Sequence, residues 1–244
     1  MKAIIFLCLF PAFAFAADKQ VELQTSHGAV LLDIYNPGLA SVLLLAPGAG
    51  CGPRLDMYDP IAATARSKGF TLVRLYWAYC VAKPQGKPTE DLSKEKEDFG
   101  AAFHYVRSDL NYPLAKIVIG GKSQGTFVSQ EMFQAEKQLP ALLILTPVCT
   151  DDETDPKNPK NVMQEAYPAL ESEIRIVLMA QGDQDPLCHR MHFEEFLAGK
   201  GANFSAARLQ GDHGFGIKNP DGSYNAELGR ENIKALAAQI GAWL

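Results

Sequence analysis

The chain has 244 residues, 47% of them apolar and 21% charged, and a formal net charge of −5. That composition excludes disordered, collagen-like and membrane-saturated chains, and the acidic balance leaves no basic surface for a nucleic acid or an anionic membrane. The length suits one α/β domain, and no Gly/Ser-rich linker or break in composition divides it.

The first predicted element is a secretory signal. Lys2 precedes an apolar run from Ala3 to about Phe13, and Ala14-Phe15-Ala16 follows with the small-residue pattern of a cleavage site. The run is too short to span a bilayer. Cleavage after Ala16 gives a mature domain over residues 17–244, periplasmic or secreted, with no stable membrane anchor; Ala12-Phe13-Ala14 offers a second cleavage site. Cys8 lies too deep in the apolar run for lipid attachment and leaves with the signal. The mature chain then keeps Cys51, Cys80, Cys149 and Cys188, an even number in an oxidising compartment, which predicts two disulfides. Without Lys2, 22 of the 23 basic residues remain against 28 acidic ones, a charge of −6.

Beyond the signal, Val21 to Ser26 and Ala29 to Tyr35, separated by His27-Gly28, read as an antiparallel hairpin. Further strands are predicted at Ser41 to Ala46, Phe70 to Trp77, Lys116 to Gly120, Ala141 to Thr146, Arg175 to Ala180 and Phe204 to Leu209. Helices are predicted at about Tyr58 to Ser67, Glu90 to Ser108, Gln124 to Lys137, His189 to Ala198 and Glu227 to Trp243. The later strands are nearly continuous in apolar residues, as buried parallel strands are, and their alternation with helices specifies a mostly parallel sheet with helices on both faces. Ligands then bind beyond the carboxyl ends of the strands. The segment from Cys149 to Ser172 is rich in Asp, Pro and Asn and has room for only a short helix, so no large lid is expected there.

Four short segments carry chemistry. In the first, the strand ending at Gly120 runs into Gly121-Lys122-Ser123-Gln124-Gly125 and then a helix, which is G-x-S-x-G in a strand–turn–helix context. The glycines remove Cβ atoms that would collide in a sharp turn, leaving the serine hydroxyl exposed beside a helix N-terminus. A phosphate loop would need a glycine five residues before Gly121, where Lys116 stands. In the second segment a strand ends in Gly182-Asp183-Gln184-Asp185-Pro186, and either carboxylate could orient a histidine or cap a turn. The third, Gly211-Asp212-His213-Gly214, sets a histidine in a glycine-flanked loop after the last strand. The fourth, Pro47-Gly48-Ala49-Gly50-Cys51-Gly52, is a glycine-rich loop after an early strand.

On these segments the chain resembles the α/β-hydrolase family, and its lidless length resembles the small dienelactone-hydrolase-like esterase branch, with Ser123 where that branch often carries cysteine. The resemblance implies a three-layer sandwich and a serine esterase whose triad is Ser123, Asp185 and His213, the acid being chosen by a Gly-x-x-Asp pattern from Gly182. It implies an oxyanion hole from the backbone N–H groups of Gln124 and Ala49, with Gly50 as the alternative to Ala49. It also places neighbouring strands so that Cys51 would pair with Cys80 and Cys149 with Cys188. The implied substrate is a small or medium ester, cleaved without metal or other cofactor; acyl transfer, peptide cleavage or a catalytically silent binding role are the alternatives on the same fold.

Trp77, Tyr79, Phe127 and Phe215 fall near strand ends or the three polar residues and are candidate pocket-lining groups. His189 and His192 are three apart on a helix with no third ligand in view, and the acidic run Asp151-Asp152-Glu153-Thr154-Asp155 lacks calcium-loop spacing. His27 and His104 belong to the early hairpin turn and to a helix.

Overall fold

A computed structural model describes residues 17–52, 57–151 and 159–244. The signal peptide expected over residues 1–16 lies outside the described residues, as does most of the acidic run that begins at Asp151.

The hairpin forms as β1 (Lys19–Thr25) and β2 (Gly28–Tyr35), and it is followed by β3 (Ser41–Ala46), α1 (Tyr58–Ser67), β4 (Phe70–Tyr76), α2 (Ala78–Ala82) and α3 (Ser93–Ser108). Next come β5 (Ile117–Lys122), α4 (Gln124–Ala135), β6 (Ala141–Leu145) and a two-residue pair, β7 (Thr150–Asp151) with β8 (Lys160–Asn161). The chain finishes with α5 (Met163–Ala166), β9 (Ile176–Gly182), α6 (Arg190–Ala198), β10 (Phe204–Leu209) and α7 (Ala226–Trp243). Eight strands form one sheet in the order β1-β2-β4-β3-β5-β6-β9-β10. β1, β2 and β4 are antiparallel to their neighbours in turn, and every pairing from β4 to β10 is parallel.

Alternation along the strands fills two cores. On β3, Val42 and Leu44 face the layer built on Phe99, Ala102 and Val106 of α3, Val128 and Phe133 of α4 and Phe193 of α6. Leu43 and Leu45 face Ile61 of α1 and Ile233, Leu236 and Ile240 of α7. Each of these side chains is fully or almost fully buried, worth about 1.5–3 kcal/mol for a Leu, Ile, Val or Phe. Covered on both faces, the central strands need no polar alternation, which explains their continuous apolar runs.

The element boundaries follow local chemistry. α3 starts at Ser93 instead of Glu90 because Leu92 takes a left-handed conformation (φ 57°) while Glu95 accepts from the N–H and hydroxyl of Thr89. β5 runs to Lys122, two residues past the predicted end, because pairing with Leu145 of β6 continues the ladder. Asn225 caps α7 by accepting from the N–H groups of Glu227 and Leu228. Between Cys149 and Ser172 the described residues form the two-residue β7–β8 pair, the short α5 and a 3₁₀ turn at Pro168–Leu170, with no large cap over the strand ends. Among the described residues no helix is long and apolar enough to cross a membrane.

Candidate active site

Ser123 sits between the last residue of β5 and the first of α4 with φ 50° and ψ −121°, a conformation that non-glycine residues rarely adopt. Its backbone N–H donates to the Leu145 carbonyl (2.9 Å) and its carbonyl accepts from the Thr126 N–H (2.9 Å), so both neighbouring elements hold the bend. A serine at this position ordinarily caps the helix, but here the hydroxyl makes no cap bond and remains available. The flanking glycines are required sterically. A Cβ on Gly121 would lie 2.1 Å from the carbonyl carbon of Gly125, and one on Gly125 would lie 2.5 Å from the Pro47 carbonyl oxygen. The elbow therefore packs directly on the loop that follows β3. Thr126 Oγ1 supports it from below by donating to the Ser123 carbonyl (2.5 Å) and meeting the hydroxyl of the fully buried Tyr167 (2.7 Å).

The two carboxylates after β9 have separate partners. Asp185 is buried, and its Oδ1 and Oδ2 lie 3.0 and 2.9 Å from Nδ1 of His213. It also accepts from the Leu187 N–H (2.9 Å). Asp183 is exposed and accepts from the Gly211 N–H (2.9 Å), tying the turn after β9 to the loop after β10. His213 Nε2 is buried and has no hydrogen-bond partner among the described residues. Ser123 and His213 line the same cleft of about 780 Å³ at the carboxyl ends of the strands. The Ser123–His213 hydrogen bond itself is not formed, a looseness common when no substrate is bound.

The loop after β3 forms the opposite wall through Pro47, Gly48, Ala49 and Gly50. Two side chains from beyond β4 hold its carbonyls: Trp77 Nε1 donates to the Gly48 oxygen (3.0 Å) and the Tyr79 hydroxyl donates to the Ala49 oxygen (3.0 Å). Every described peptide bond is trans, and in a trans peptide the C=O and the following N–H point in opposite directions. Anchoring Gly48 O thus aims the Ala49 N–H away from Trp77, and anchoring Ala49 O aims the Gly50 N–H away from Tyr79. Cys51, next in the loop, is bonded to Cys80 of α2. Cys149 is bonded to Cys188, joining the loops after β6 and β9.

Of the four aromatic residues expected at the pocket, Trp77 lines it, and the others have different places. Tyr79 braces the loop from behind. Phe127 stacks on Tyr167 (5.3 Å between centroids), because its place on α4 turns it toward the segment after α5. Phe215 is fully buried in the core under α7. His192 Nδ1 is 2.9 Å from Thr150 Oγ1 and its ring stacks on His189, so local packing accounts for the pair. Among the described residues no cluster of three or more His, Cys, Asp or Glu could hold a metal ion.

Several cleft residues carry little signal in the amino-acid sequence. Asp212 shapes the histidine loop by accepting from the N–H groups of Gly214 (2.8 Å) and Gly216 (2.9 Å) and from the Tyr224 hydroxyl (2.5 Å). Lys122, the variable residue of the G-x-S-x-G segment, faces the cleft. Burial pushes its ammonium down to about 8, against the opposing pull of the Asp185 and Asp212 carboxylates. Arg74 of β4 and Lys218 also line the cleft. Lys122 carried a sequence signal, a charge at the end of a buried strand, whereas Arg74 resembled an ordinary polar position in a β-strand.

Residues 40–243 match the α/β-hydrolase domain family. No curated protein matches the chain. Among solved structures, an α/β serine hydrolase homologue from Coxiella burnetii is 18% identical, with a TM-score of 0.68 over 94% of this chain and 99% of that one. A lidless α/β serine hydrolase from Xanthomonas campestris is 16% identical, with a TM-score of 0.63 over 93% and 94% of the two chains. The esterase domain of a Rhodothermus marinus protein is 14% identical, with a TM-score of 0.63 over 92% and 96%. At such identities the likeness to these structures is one of fold. The family match runs from the strand before the glycine-rich loop to the last helix and takes in every segment that meets at the cleft, and on that match the chain belongs to the α/β-hydrolase family.

Proposed function

We propose that this protein is an exported serine hydrolase that cleaves carboxylic esters through an acyl-enzyme on Ser123. The observation that carries the reading is the pairing of two unspent groups in one cleft: a serine hydroxyl on a strained bend that makes no cap bond, and a histidine whose Nδ1 is held by buried Asp185 while its Nε2 has no partner among the described residues. In that arrangement His213 Nε2 takes the proton as Ser123 Oγ attacks the ester carbonyl, and returns it to the leaving alcohol; a water then repeats the sequence to release the acid. Asp185 fixes the tautomer that leaves Nε2 free to accept and stabilises the imidazolium. Gln124 N–H at the start of α4 and Ala49 N–H in the facing loop are the donors for the tetrahedral oxygen. The serine hydrolase and esterase names of the structural neighbours support the same class. Two disulfides among the described residues, which persist in oxidising compartments, support export.

The test is labelling by a fluorophosphonate probe and turnover of p-nitrophenyl esters of graded acyl length. The native protein should be labelled and active, and Ser123→Ala should lose both. A folded, disulfide-intact native protein that neither reacts with the probe nor turns over any ester refutes the proposal.

A further inference from the structure

Arg74 is buried, 8% exposed, and it lines the cleft that contains Ser123. No carboxylate among the described residues lies within ion-pair distance of it. Asp33, its partner in the β2–β4 register, is engaged by Gln20 Nε2 (2.9 Å) and the Tyr76 hydroxyl (2.6 Å). The guanidinium carbon lies 4.1 Å from the ring centroid of Tyr58 and 4.2 Å from that of Tyr76. Its guanidinium donates one hydrogen bond to the Tyr35 phenol oxygen, and its buried Nε has no partner among the described residues. Stacking occupies the faces of a guanidinium and leaves its in-plane donors for an acceptor, which suits a carboxylate. A buried cation with no carboxylate in ion-pair distance among the described residues is costly to keep, and this one lines the cleft.

The sheet register relates it to the nucleophile. Arg74 pairs with Leu45 and Leu45 with Gly120, so its Cα stands two strands, roughly 10 Å, across from Gly120, three residues before Ser123. Lys122, adjacent to Ser123, is a second cation on the same cleft wall and makes no ion pair among the described residues. An ester with a chain of a few carbons can span the interval between the nucleophile and these cations.

We propose that Arg74, assisted by Lys122, seats a carboxylate carried by the substrate, so that the cleft selects anionic esters over neutral esters of the same shape. This rests on the hydrolase reading for turnover, while anion binding by the seat is independent of it. The carboxylate belongs either to the acyl chain or to the alcohol, and paired substrates separate the two: p-nitrophenyl hemiglutarate against p-nitrophenyl valerate, and 4-butyryloxybenzoate against its methyl ester.

In one of these pairs the anionic member should have the higher kcat/KM by roughly tenfold to a hundredfold, the range of one charge-assisted contact, and Arg74→Met should bring that ratio toward one. Free glutarate should compete with a neutral ester in the native protein, and glutaramide should not, a measurement that does not depend on the variant folding. Equal rates within both pairs, or a loss in Arg74→Met shared equally by anionic and neutral esters, overturns the proposal. Calorimetry with Ser123→Ala and monomethyl glutarate separates the two readings: binding by a protein whose native form turns over no ester keeps the seat and discards the hydrolase, whereas ester turnover without binding does the reverse.

Discussion

Replacing Trp77 with Phe tests whether the loop after β3 supplies an oxyanion donor, and which residue supplies it. Trp77 is fully buried, and its indole N–H is bonded to the Gly48 carbonyl. Phe keeps most of the packing but deletes the donor, so the Gly48–Ala49 peptide loses the contact that sets its plane. The stability cost should be about 1–3 kcal/mol, that of an orphaned acceptor plus a small void. The catalytic cost is separate. If the Ala49 N–H rotates off the developing oxyanion entirely, about 2.7–4 kcal/mol of transition-state stabilisation is lost, which is 10²–10³-fold in kcat. The Tyr79 hydroxyl and the Cys51–Cys80 bond still hold the next residues, so the expected loss is roughly 10–100-fold in kcat with little change in KM.

Tyr79→Phe is the matched control, because it frees the Ala49–Gly50 peptide instead. If Ala49 is the donor, Trp77→Phe loses more kcat than Tyr79→Phe, and if Gly50 is the donor the order reverses. Steady-state kinetics on one p-nitrophenyl ester, with thermal unfolding of each variant alongside, read both effects. A folded Trp77→Phe protein with unchanged kcat refutes the argument from peptide planes.

Three more outcomes follow from the geometry. Asp185→Asn should lower kcat by about 10³–10⁴-fold because an amide no longer enforces the tautomer, whereas Asp183→Asn keeps an oxygen for the Gly211 N–H and should stay within about threefold of wild type; comparable losses in the two would refute the division of labour. Lys122 titrates at about 8 in the folded protein and at 10.5 when exposed, so the unfolded chain holds the extra proton between those values and the stability carried by this group rises with pH across that window. Lys122→Met should therefore be more stable than wild type at pH 7, by at most about 3 kcal/mol, with the advantage shrinking toward pH 10.5 in urea titrations; an advantage that is flat with pH refutes it. Gly125→Ala puts a methyl group 2.5 Å from the Pro47 oxygen and should destabilise by about 3 kcal/mol or more, seen as a lowered urea midpoint, while no loss would mean that the elbow and the β3 loop can separate.

Much of the architecture is legible in the amino-acid sequence because the signals are short-range. The strand at Ser41–Ala46 and the helix at Tyr58–Ser67 have the predicted boundaries, since each is an uninterrupted apolar run or a 3.6-residue pattern ending at a breaker. Gly121-Lys122-Ser123-Gln124-Gly125 announced a strand–turn–helix bend because only glycines tolerate the contacts on either side of Ser123. α2 passed unnoticed because five residues hold too little periodicity to register. Phe127 and Phe215 were misplaced because nearness in sequence to a polar site does not say which way a side chain turns.

Tertiary structure decided what depends on strands that are neighbours in space and not in sequence. The β4-β3-β5 order carries Trp77 and Tyr79 to the carbonyls of a loop nearly 30 residues earlier and brings Arg74 into the cleft of Ser123. The choice between Asp183 and Asp185 as the neighbour of His213 likewise depended on how two loops meet above β9 and β10. Hydrophobic periodicity records which face of an element is buried, and it is silent on which polar groups long-range strand pairing brings within hydrogen-bonding distance.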